Sequence, residues 1–296
     1  MRRILSLPAL AALAAGVLSA TLAATALAAQ PLKLEVYNPG PQAMFPVSSV
    51  LVTGQKEAIL VDAQFGKTQA SQLVDRIRAS GKTLTTVYIS HGDPDYYFGL
   101  ETIKSAFPAA RIVASAQTVA HIQLTRADKL AFWGPKLAAD APQATIVPEV
   151  LQGHSLSLEG RRLDVVGLDG PQPERSFVWI PSIKAVIGGV VLSNNEHVWM
   201  ADTQTPKSHA DWLATLKSIQ ALRPRVVVPG HFLAGQSTPL HAAVFTADYI
   251  RTFDAEAAKA KNSAALVEAM KKHYPELPAD AGLDISAQVA KGEMKW

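Results

Sequence analysis

Residues 88–100 read YISHGDPDYYFGL: a β-branched and aromatic run that stops at a histidine, two aspartates, a proline and a tyrosine pair. Its β-branched and aromatic residues make the preceding TTVYIS a strand, and His91, Asp93 and Asp95 fall at alternate positions just past its end. Open α/β sheets place their sites at the C-terminal ends of strands. Imidazole and carboxylate together suit a divalent metal, because both are available as ligands at neutral pH. A GDPD turn that only caps the following helix explains the two aspartates equally well, and the stretch alone leaves both readings open.

Working outward, PLKLEVYNPG and SSVLVTGQKEAILVDAQF read as strands joined by a turn at Gly54 to Lys56. In TQASQLVDRIRASGK the positions Leu73, Val74 and Ile77 have helical spacing, and Gly81 is a C-terminal stop. GLETIKSAF reads as a helix, ARIVAS as a strand, and 116 to 140 as largely helical. In the second half LEGRRLDVVGLDG, RSFVWIPS, KAVIGGVV and RVVVPGHF read as strands, and SHADWLATLKSIQAL as a helix with Ser208 as N-cap. From about 239 to 273 the pattern is helical, the start of a C-terminal helical extension running over 239–296.

The chain of 296 residues is 48% hydrophobic and 18% charged, enough for a substantial core. Residues 1–28 differ from the rest: Arg2 and Arg3, an uncharged Ala/Leu-rich run, then Ala26, Leu27 and Ala28, the three-part pattern of a secretory signal. This predicts a periplasmic or secreted protein without stable membrane contact after cleavage. An uncleaved anchor and a twin-arginine signal are the alternatives. Removing Arg2 and Arg3 leaves 26 Lys plus Arg against 25 Asp plus Glu, a net charge of +1. No basic run supplies a nucleic-acid footprint, and nothing marks a partner protein. With no cysteine, a thiolate metal site and a cysteine nucleophile are both excluded.

AILVDAQFG, YISHGDPDYYFGLE, AVIGGVV and VVVPGHF stand in an order that resembles the metallo-β-lactamase superfamily over nearly the whole of residues 29–296. The resemblance implies an αββα sandwich of two similar halves, and a His-x-His-x-Asp-His ligand loop followed by a later His, a Gly-Asp and a closing Gly-His. Here the loop reads His-x-Asp-x-Asp-Tyr. By that correspondence His91, Asp93 and Asp169 make a first metal site, while Asp95, Tyr96 and His231 make a weaker second one, its bridging aspartate replaced by Gly189. One divalent ion is expected, zinc first, with manganese or iron as alternatives.

The implied chemistry is hydrolysis of a small-molecule ester, lactone, amide, thioester or phosphoester. In it Asp95 either ligates the metal or orients the attacking water. Asp62 would hold the ligand loop, and His197 borders the site. The alternative is a catalytically impaired, ligand-binding protein on the same fold. An iron redox protein is a weaker third reading, lacking any sign of a flavin partner.

Overall fold

The computed structural model describes residues 30–233, 240–278 and 281–296. The signal sequence expected over residues 1–28 lies outside the described residues. In chain order the first half holds β1 (Lys33–Tyr37), β2 (Ser49–Thr53), β3 (Glu57–Val61), α1 (Lys67–Ala79), β4 (Thr83–Ile89), α2 (Pro94–Tyr97), α3 (Leu100–Ala106), β5 (Arg111–Ala114), α4 (Ala116–Leu137) and β6 (Glu149–Val150). The second half holds β7 (Ser155–Leu158), β8 (Arg161–Val166), β9 (Phe177–Ile180), β10 (Ala185–Ile187), β11 (Ser193–Asn194), α5 (Pro206–Ala221), β12 (Val226–Val227) and β13 (His231–Phe232). Three helices follow: α6 (His241–Lys259), α7 (Ser263–His273) and α8 (Ala281–Ala290).

β1 to β6 form one sheet in sequential order, antiparallel as far as β3 and parallel from β3 onward. A second sheet runs β12-β10-β9-β8-β7. The central strands are apolar on both faces because each face meets a different layer. In β3, Ala58 and Leu60 join Leu73, Ile77 and Leu100 of the covering helices, whereas Ile59 and Val61 join Leu163, Val178 and Ile187 of the other sheet. Beyond the second sheet, Val186 and Phe177 pack on Trp212, Leu216, Tyr249 and Phe253. Three apolar seams between four layers give the αββα sandwich that the motif order implied.

Two local expectations are corrected. RVVVPGHF is not one strand: Pro229 and Gly230 break it, so β12 pairs with β10 while β13 pairs with β11 in a separate two-stranded sheet. The N-cap of α5 is Thr205, not Ser208. Pro206 occupies the first turn, and Thr205 and Ser208 form a reciprocal capping box.

Candidate active site

The end of β3 fixes the loop that follows β4. Asp62, buried and at φ 66°, accepts from the Ser90 amide at 2.8 Å and the Ser90 hydroxyl at 2.7 Å. The same Ser90 hydroxyl accepts from the Gly189 amide at 2.7 Å, tying the two halves together one residue before His91. Burial raises the Asp62 pKa to about 7 against the lowering effect of these bonds. Further along, the Ala63 amide donates to the Tyr96 carbonyl and the Gly99 amide to the Gln64 carbonyl. A side chain at Gly99 would collide with the Ala63 carbonyl at 2.0 Å, which explains the glycine after the YYF run.

The loop then delivers its polar groups to a cavity of about 380 Å³, whose lining includes Asp93, Asp95, Lys129, Glu196, His197 and His231. Asp95 lies 3.0 Å from His231 Nε2, and Glu196 lies 3.6 Å from His231 Nδ1. Burial alone would lower the His231 pKa, but the Asp95 hydrogen bond and the two carboxylate charges raise it to about 9. His231 is therefore an imidazolium at neutral pH.

Asp93 receives Lys129 Nζ at 3.1 Å and lies 3.5 Å from His91 Nδ1. These neighbours outweigh its burial and hold the carboxyl down at about 2. His91 is lowered by burial, and its Nδ1 accepts the Asp93 amide at 3.2 Å. Tyr96 stands between the two histidines, its ring centroid 5.3 Å from His91 and 5.6 Å from His231, with its buried hydroxyl unpartnered.

The structure thus gathers His91, Asp93, Asp95, Tyr96 and His231. It does not bring Asp169 to them. Asp169 lies in the turn after β8 with its side chain 85% exposed, 3.4 Å from His154, so its expected role as a ligand is corrected. The expectation for Gly189 shifts by one residue. At φ 80°, a side chain there would meet the Ser176 carbonyl at 2.2 Å, and it is Val190 that faces the cavity.

Sequence reasoning passed over Lys129, Glu196 and Val190, and also Arg175, which is buried with its guanidinium 3.7 Å from the Trp212 ring. The first of these carried a signal. Lys129, Phe132, Trp133 and Lys136 occupy i, i+3, i+4 and i+7 of α4, one mixed apolar and basic stripe, and all four line the cavity.

A profile of the metallo-β-lactamase superfamily matches residues 44–231. Among solved structures, a metallo-β-lactamase family protein from Thermus thermophilus is similar with a TM-score of 0.59 at 17% identity, covering 88% of this chain and 91% of that one. A metallo-β-lactamase from Pontibacter korlensis is similar with a TM-score of 0.52 at 16% identity, covering 75% of this chain and 95% of that one. At such identities the likeness shows the fold alone. No curated protein matches the chain.

Members of this superfamily generally hold divalent metals, usually zinc. The donors present do not fit that role as arranged. Among the described residues no group of three or more His, Asp or Glu converges on a common point. Each loop carboxylate instead faces an organic cation: Lys129 for Asp93 and His231 for Asp95.

Proposed function

Because the chain belongs to the metallo-β-lactamase superfamily, whose members are usually hydrolytic enzymes, we propose that it hydrolyses a small, apolar-bodied ester, lactone or amide with fixed side-chain cations where a metal would stand. The observation that carries this reading is the pairing of Lys129 with Asp93 and of His231 with Asp95 on the floor of a cavity otherwise walled by Phe45, Phe65, Trp133 and Val190. Asp95 takes a proton from water as the water oxygen bonds to the carbonyl carbon. The ammonium of Lys129 and the imidazolium of His231 stabilise the oxyanion. As that intermediate collapses, the bond to the leaving group breaks and Asp95 returns the proton to it.

The pattern of Arg2, Arg3 and the Ala/Leu-rich run supports export to the periplasm or beyond. A second reading, binding without turnover, is favoured by Tyr96, which fills the space between the two histidines with a ring whose hydroxyl engages nothing.

The test is a panel of 4-nitrophenyl and naphthyl esters and amides, assayed with excess EDTA. Activity that survives the chelator and falls at least about a hundredfold in Asp95→Asn supports the hydrolase. Activity abolished by EDTA contradicts the cation-based centre. A protein that binds panel members without turning any over supports the binding reading.

A further inference from the structure

The wall of the cavity is built from two separate aromatic groups. In the first, Phe45, Phe65 and Trp133 meet pairwise at 5.2 to 5.6 Å, with Phe132 against Trp133 at 4.8 Å. In the second, Trp199 and Trp296 meet at 4.9 Å, the Trp296 indole donates to Asp202 at 2.7 Å, and Lys129 Nζ lies 5.0 Å from the Trp296 ring centroid. Around this cavity Met44 is 48% and Phe132 43% exposed, so apolar surface continues outward from it. Aromatic side chains concentrated in the lining of a space of this size favour a flat ring, because ring quadrupoles reward stacked and edge-on contacts beyond simple burial.

Among the polar groups of the lining, His197 carries an unmatched ring nitrogen. His197 is 4% exposed, and its Nδ1 lies 3.0 Å from the Tyr249 hydroxyl, while its Nε2 is buried without a partner. Burial, with Lys271 adding to it, lowers its pKa to about 4, so the ring is neutral at physiological pH. A buried polar atom without a partner is costly, and a ligand that supplies the missing hydrogen bond recovers that cost. Tyr249 leaves either tautomer of His197 open: Nε2 is a donor in one and an acceptor in the other. A hydroxyl, which does both, serves either.

We propose that the cavity selects a small planar aromatic compound carrying a hydroxyl group, with the ring against the aromatic lining and the hydroxyl on His197 Nε2. His197 is then a specificity-determining residue. This rests on the reading of the cavity as the substrate pocket but not on turnover.

The experiment compares 2-naphthol with 2-methylnaphthalene, nearly equal in shape, by quenching of tryptophan fluorescence from the wild-type protein and from His197→Phe and His197→Gln. The expected result is a preference of about tenfold for the naphthol in the wild type, the size of one net hydrogen bond. It is lost in His197→Phe and largely kept in His197→Gln, while 2-methylnaphthalene binds all three alike. A merely structural role for His197 would weaken both probes together and would overturn the proposal. So would equal binding of the two probes by the wild type, or binding of neither. Because binding is read without catalysis, a protein that hydrolyses nothing can still pass this test, and the two readings fail separately.

Discussion

The two halves of the sandwich bring different things to the same floor. The first half supplies a loop whose every support is in place: Asp62 on Ser90, Ser90 on Gly189, and the backbone bonds from Ala63 and Gly99 that seat α2. The second half supplies His231, with Glu196 and His197 beside it and an apolar Val190, while the carboxylate expected as its metal ligand, Asp169, points into solvent. The supports of a ligand loop are thus in place while the position expected for Asp169 is empty of it, and the loop's carboxylates pair with Lys129 and with the closing His231. A buried charge left alone costs several kcal/mol, which is why each of these enclosed carboxylates needs a cation beside it.

The largest effect expected from disturbing this arrangement belongs to Lys129. Lys129→Met leaves Asp93 ionised and almost enclosed, and should cost about 3 kcal/mol in urea unfolding at pH 7. Adding Asp93→Asn should restore most of that loss. If the single variant were as stable as the parent, the pair would not be a replacement for anything.

The next effect is one of pH. His231 has a folded pKa raised to about 9, so its stabilising contribution is fully present below the unfolded histidine value of about 6.5 and is lost as pH rises through 9. Over pH 6.5 to 9 unfolding free energy should decline by about 3 kcal/mol from this group, at roughly 1.4 kcal/mol per pKa unit. Asp95→Asn, which removes the main partner, should flatten that decline. An unchanged slope in the variant would mean that Asp95 does not hold the imidazolium.

The smallest effect belongs to Asp169. Asp169→Ala should alter stability by less than about 0.5 kcal/mol, in keeping with an exposed surface position, and should leave ligand binding untouched. A loss of activity there would return Asp169 to the site.

Much of this was legible in the sequence wherever a feature repeats or a backbone demand selects a residue type. The apolar, β-branched runs of β3 and β4, the glycine after YYF and the closing Gly230-His231 all announce the sandwich and its loop. The second half was read less well for two physical reasons. Gly189 and Val190 are adjacent, and a one-residue error of register exchanges a position with no room for a side chain for one that faces the cavity. Asp169 lies in a turn whose path depends on how β8 meets β9, information that lies in the pairing of Val166 with Phe177 and not in local composition. Lys129, Glu196 and Trp296 lie far from one another in sequence, and only tertiary packing brings them to one cavity. The stripe on α4 was the one readable hint.

The measurement that tests the central claim most directly is a calorimetric titration of zinc, and separately manganese, into chelator-stripped protein at pH 7, beside Lys129→Met. Two loop carboxylates already satisfied by organic cations predict no stoichiometric binding by the parent protein. One equivalent bound tightly by the parent, and lost in Asp93→Asn, would contradict the account and return His91, Asp93 and Asp95 to the role of metal ligands.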